Sequence, residues 1–319
     1  MRMERPLPSS CPRCGAPRGG GPECPRCGVY YAKAEARAAQ ATLALEPPLP
    51  WELPEPERPS HLPAETLTWD ADAEDARWEL KVRTFAIPVA LLVTWVLHST
   101  GMGHRMLVLF FSMWIHELGH AVTAWLCGFL AFPGPWVTPV AMGRSPLFSL
   151  LLAAGFGFLV WRGWKRRQRV LLGAGISLLA LQAVGTLMIG RAKAQSFVTF
   201  GGDGGCLVLG ALLMLTLYVP KEHSLRQGWT RWGLLVIGAA AFTDAFRTWW
   251  SARTNIDAIP FGHIVGVGPS DPSTLTEAYG WSMDTMISRY VGLGVLCLVA
   301  LGVVYAVALL RAKAATSNS

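Results

Sequence analysis

His116, Glu117 and His120 stand in SMWIHELGHAVTAW (112–125), an H-E-x-x-H pattern inside a run of Met, Leu, Val, Phe and Trp. On a helix, positions i and i+4 share a face one turn apart. His116 and His120 can therefore offer two imidazole nitrogens to one Zn²⁺. Glu117 falls about 100° round the helix from His116. That sets a carboxylate beside the metal, where it can take a proton from an attacking water. Ionisable groups at bilayer depth are costly and point to a functional site.

A second metal chemistry is written in CPRCGAPRGGGPECPRCG (11–28). Cys11 and Cys14 form one C-x-x-C knuckle, and Cys24 and Cys27 form another. Gly15 and Gly28 follow each pair and permit the tight turn that aims backbone N–H groups at sulfur. Four thiolates satisfy one tetrahedral Zn²⁺ and leave no position for substrate, so this site is expected to be structural. So short a stretch has almost no core, and the metal would supply most of its folding energy.

A catalytic zinc usually takes three protein ligands and keeps one position open. Beyond His116 and His120, the candidates for the third are Asp203, Asp244, His98, His104 and His263. Only eight acidic residues follow residue 80. Asp203 is the best placed of them, in TFGGDGGCLVLGALLML, between glycine pairs that permit close helix approach. Capping of a helix N-terminus is an alternative and compatible role for it. Asp244 precedes Arg247 by three residues, which suits an intrahelical ion pair. His263 and Asp271 lie in a long loop and read as surface positions, with gating or substrate contact as the alternative. Cys127, Cys206 and Cys297 read as small buried apolar residues; Cys206 also stands near Asp203.

The elements that must position these residues are membrane helices. Hydrophobic residues make up 52% of the 319-residue chain and charged residues 15%, against roughly 25% charged in soluble domains. Residues 1–45 carry net +4, 46–79 net −8 and 80–319 net +11. Seven apolar segments follow one another at 84–98, 106–128, 147–161, 170–189, 203–219, 233–250 and 290–310. Most approach the ~20 residues that cross a bilayer as a helix. AFPGPWVTPVAMGRSP (131–146), rich in Pro and Gly but hardly polar, suits a re-entrant or interfacial segment. The fold expected is an all-α polytopic membrane protein of about six to seven transmembrane helices with a small N-terminal zinc ribbon. Residues 1–45 make the ribbon and a short Ala-rich helix, and 46–79 an acidic, Pro-rich linker. Residues 80–319 make the membrane domain, with its one long loop at 251–289. The amino terminus shows no apolar core of a signal peptide. The basic run RGWKRRQR (162–169) argues for a cytoplasmic loop, whereas thiolate knuckles favour a reducing compartment for the N-terminus. The expectation is a plasma-membrane protein with a cytoplasmic N-terminus.

An intramembrane HELGH followed by an Asp-Gly at the start of another membrane helix resembles the site-2 protease family of intramembrane zinc metallopeptidases. The likeness covers residues 85–220. It implies a metallopeptidase domain with one catalytic zinc; the ribbon and its own structural zinc, read from the cysteine spacing, lie outside the likeness. It implies His116, His120 and Asp203 as ligands and Glu117 as general base. The implied substrates are membrane-anchored proteins cut within or near the bilayer. The family often has Leu before its Asp-Gly; this chain has Gly202. A second class of function stays open, that of a non-proteolytic membrane scaffold or metal-handling protein. In either class the ribbon suits a protein partner. Its three arginines, without an aromatic stacking platform, make a poor nucleic-acid footprint.

Overall fold

The computed structural model describes residues 10–11, 13–35, 65–220, 223–226, 228–264 and 268–317. The chain divides into two compact units, 1–70 and 71–319. Residues 36–64, which hold most of the Ala-rich stretch and most of the acidic linker, lie outside the described residues.

The N-terminal unit is two turns around four sulfurs. Gly15 N–H donates to Cys11 O at 2.9 Å, and Gly28 N–H to Cys24 O at 2.8 Å. Both glycines are left-handed, with φ of 69° and 67°, a region that costs other residues 1–2 kcal/mol by order of magnitude. Tyr31 is buried beneath the knuckles, and its hydroxyl accepts from Gly19 N–H at 3.1 Å.

The larger unit is helical. We number its helices α1 (Glu65–His98), α2 (Gly101–Leu126), α3 (Pro146–Lys165), α4 (Arg169–Met188), α5 (Arg191–Leu215), α6 (Thr230–Ala252), α7 (Asp271–Glu277) and α8 (Met283–Ser317). Six stretches are long and apolar enough to cross a membrane: Arg77–His98, Gly101–Leu126, Pro146–Lys165, Arg169–Met188, Arg191–Tyr218 and Met283–Ala312. These are the features of an integral membrane protein. The expected seventh segment, 233–250, is helical within α6 but is not among the six. Residues 65–79, the C-terminal part of the acidic stretch, are helical and open α1.

Burial ranks the helices. The apolar window of α5 is 56% buried and that of α3 only 6%, so α5 is the central post and α3 lies at the periphery. Glycines let α2 meet α5 backbone to backbone. A Cβ on Gly119 would overlap the Gly201 carbonyl and lie 2.8 Å from the Gly205 Cα. Such close approach is the standard use of small residues in membrane packing.

Regular helix is interrupted at Pro88 in α1 and at π-turns in α2 and α4. Pro88 sits inside α1 and cannot donate to the carbonyl four residues back. That carbonyl, Thr84 O, accepts instead from the Tyr305 hydroxyl of α8 at 3.1 Å. In α2, Val108–Ser112 is a π-turn, which rotates Ser112 toward α6. After α2 the chain turns at Gly128 (φ 82°) into an antiparallel hairpin, β1 (Phe129–Ala131) with β2 (Val140–Arg144). Arg144 Nε donates to Cys127 O at 3.0 Å. Its Nη2 donates to Gly185 O at 3.0 Å and Ile189 O at 2.6 Å. One guanidinium thus serves free carbonyls at the C-terminal ends of α2 and α4.

The long loop is not loose. It holds a small hairpin, β3 (His263–Ile264) with β4 (Gly268–Pro269), and then α7. Leu275 of α7 is fully buried in the same core as Trp249 and Tyr290. Ser273 Oγ accepts from Gly262 N–H at 3.1 Å. These contacts bring the first residue of α7 over the middle of α2.

Candidate metal centre

His116 and His120 project from one face of α2, as their spacing requires. Their Nε2 atoms are 3.1 Å apart. The third corner is Asp271, whose Oδ2 lies 3.1 Å from each Nε2. The three atoms form a nearly equilateral triangle. Bonds of about 2.0–2.1 Å at tetrahedral angles separate ligand atoms by about 3.3 Å, so the triangle has the size of one face of a zinc tetrahedron.

The tautomers sharpen this. His120 Nδ1 faces the Val198 carbonyl at 2.8 Å. A carbonyl only accepts, so that nitrogen carries the proton. His116 Nδ1 faces Asp203 Oδ1 at 3.1 Å and carries its proton for the same reason. Both Nε2 atoms are then lone pairs, aimed at each other and at a carboxylate oxygen. Asp271 Oδ2 is buried without a hydrogen bond. Three converging lone pairs repel, and a cation at their centre removes the repulsion. The residues therefore fit a divalent metal.

Asp203, expected as the third ligand, lies on the other side of the His116 ring. Its Oδ1 meets His116 Nδ1, and its Oδ2 accepts from the Trp249 indole N–H at 2.7 Å. Both oxygens are engaged away from the triangle. Asp203 is also not at a helix start, because α5 begins twelve positions earlier, at Arg191. An aspartate here orients His116 and makes its Nε2 a better donor of electrons. Trp249, stacked on Tyr290 at 4.1 Å, fixes that aspartate in turn. Glu117 is buried, and its backbone carbonyl accepts from Thr138 Oγ1 in the β1–β2 loop at 2.9 Å.

Gly202 makes room for this arrangement. A Cβ there would lie 2.5 Å from His116 Cε1 and 2.6 Å from both His116 Nε2 and Asp271 Oδ2. A leucine at this position would occupy the place that Asp271 takes. Glu117, His116, His120 and Asp271 line a cavity of about 550 Å³ that reaches the β1–β2 loop at Trp136–Thr138 and the loop before α7.

The remaining candidates also move. Asp244 does not pair with Arg247. Arg247 Nη1 donates to Trp95 O and Ser99 Oγ, each at 2.6 Å, while Asp244 faces His98 and His104. His263 lines the cavity but is not one of the three converging groups. Cys206 Sγ lies 3.7 Å from Ser112 O and belongs to no cluster of metal-ligating groups among the described residues.

In the N-terminal unit, Cys11 and Cys27 have sulfurs 3.8 Å apart, and Cys14 and Cys24 3.7 Å. Zn–S bonds of about 2.3 Å imply about 3.75 Å between sulfurs, whereas a disulfide holds them at about 2.05 Å. All four cysteines are free thiols that fit a small zinc-binding element. The Arg26 N–H, together with that of Cys27, outweighs burial and lowers the Cys24 thiol to about 6.

No protein-family model, curated protein or solved structure matches this chain.

Proposed function

We propose that the chain is an intramembrane zinc metallopeptidase that cuts membrane-anchored protein substrates within or near the bilayer. The observation that carries this reading is the triangle of lone pairs from His116, His120 and Asp271, with Glu117 lining the same cavity. A zinc ion held there would supply Lewis-acid chemistry, acidifying water and polarising a peptide carbonyl. Glu117 takes the proton of the attacking water as its oxygen bonds to the carbonyl carbon. As the C–N bond breaks, Glu117 returns that proton to the leaving amine. Asp203 holds the His116 ring through its Nδ1 proton, and the Val198 carbonyl holds His120 in the same way. In this reading Asp271 replaces Asp203 as the third ligand, and Asp203 becomes a positioning residue.

Substrate must reach the cavity as extended backbone, because helical carbonyls are already hydrogen-bonded. The ribbon, with its own zinc, serves as a docking module for a protein partner. The plasma membrane and a cytoplasmic N-terminus remain the expected setting. The experiment is Glu117→Gln in full-length protein co-expressed with candidate membrane-anchored substrates. The variant is expected to retain metal, lose cleavage and trap substrate. Unchanged cleavage would remove Glu117 from the mechanism, and an absence of cleavage by the unsubstituted chain would favour a scaffold or metal-handling role.

A further inference from the structure

A second histidine–aspartate cluster stands apart from the one above. His98 closes α1, His104 lies in the first turn of α2, and Asp244 projects from α6. His98 Nε2 lies 3.2 Å and His104 Nε2 3.1 Å from the same oxygen, Asp244 Oδ1. The two rings lean together with centroids 4.1 Å apart. The other oxygen, Asp244 Oδ2, accepts from Ser112 Oγ at 2.6 Å. That bond is available because the π-turn in α2 rotates Ser112 toward α6. The carboxylate is thus oriented with one oxygen left for the imidazoles.

His98 supplies an independent observation. Its Nε2 is buried and makes no hydrogen bond, although Asp244 is close. A buried, unpartnered nitrogen beside a carboxylate is costly as it stands. A cation between them would satisfy it. The separations of 3.1–3.2 Å match the spacing of about 3.3 Å expected when ligands share one ion of the zinc class. Arg247 does not compete for the aspartate, since it is spent on Trp95 O and Ser99 Oγ.

We propose that His98, His104 and Asp244 form a second metal site, at the turn between α1 and α2, for a divalent transition-metal ion bound by two imidazoles and one carboxylate. Two imidazoles with a carboxylate suit zinc better than magnesium or calcium, which prefer all-oxygen shells. The ion would clamp the turn between α1 and α2 onto α6. Ser112, which orients Asp244, begins the helical turn that leads to His116, so the clamp steadies the base of the helix carrying the first centre.

The test counts metal. Full-length protein in detergent is stripped, reloaded with Zn²⁺ and analysed for bound zinc per chain. His104→Gln is the main variant because this side chain, at 43% exposed, is the most accessible of the three. It is expected to bind one ion fewer than the unsubstituted chain. Asp244→Asn, read with its size-exclusion profile, is expected to do the same. The measurement is repeated on a His116→Ala/His120→Ala background. There His104→Gln should again remove one ion, whether or not the first centre binds zinc. The background change alone reports on the first centre, so failure of either site is read separately. Equal zinc content with and without His104→Gln, on both backgrounds, would overturn the proposal.

Discussion

Gly202→Ala tests the close approach of α5 to the triangle of His116, His120 and Asp271. In an open helix interior, alanine in place of glycine gains about 1 kcal/mol. At position 202 the new Cβ would fall 2.5–2.6 Å from His116 Cε1, His116 Nε2 and Asp271 Oδ2. Ordinary carbon contacts begin near 3.5 Å, so the imidazole and the carboxylate must retreat by about 1 Å. A displacement of that size in a catalytic constellation costs on the order of 10²-fold in rate. The carboxylate and imidazole also part from a shared ion. The expected result is a folded chain with one zinc ion fewer and cleavage reduced about 100-fold or more. Gly292→Ala, where a Cβ meets nothing within 4 Å, is the matched control and should change neither. The assay is zinc content in detergent together with cleavage of a membrane-anchored reporter. Wild-type zinc content and cleavage in Gly202→Ala would refute the close approach of α5 to His116 and Asp271.

Other outcomes follow from the same geometry. Asp271→Asn should abolish zinc binding at the first centre, whereas Asp203→Asn should weaken it by about 10–100-fold; metal titration of the two variants ranks them. Removing zinc from the ribbon with a strong chelator should melt both knuckles, because apparent metal-binding energies of about 10–16 kcal/mol are folding energy in such elements; hydrogen exchange at Gly15 and Gly28 reads this directly. Arg144→Lys should lower the unfolding temperature in detergent. A single ammonium cannot reach all three carbonyls at Cys127, Gly185 and Ile189, and each charge-assisted bond lost is worth about 1.5–3 kcal/mol.

The sequence carried the local parts of this account more than the distant ones. The apolar runs required helices, and the i, i+4 spacing of His116 and His120 required their nitrogens to share a face. The C-x-x-C pairs with Gly15 and Gly28 required tight turns around sulfur. Segment 233–250 stood apart because Asp244, Arg247 and several small or polar residues lower its apolarity, yet it still forms a helix against α5. Asp271 was not legible. It was one of five acidic residues in loops or at their edges, and only the burial of Leu275 and the Ser273–Gly262 bond carry it onto α2. Asp203 drew attention for a sound reason, since glycines around it do mark a close approach. Those glycines, however, admit Asp271 and the backbone of α2, while the Asp203 carboxylate turns to His116 Nδ1 and Trp249. Intrahelical spacing suggested an Asp244–Arg247 pair, but both side chains found partners on other helices. Partners across helices depend on tertiary packing, which no local spacing encodes.

The most direct test of the central claim is to locate the metal itself. Anomalous scattering at the zinc edge, from crystals of the full-length protein, would give its position. The account predicts a peak bonded to His116 Nε2, His120 Nε2 and an Asp271 oxygen, with Asp203 remaining on His116 Nδ1. A peak bonded to Asp203 instead, or no peak between the two imidazoles at full zinc loading, would contradict it.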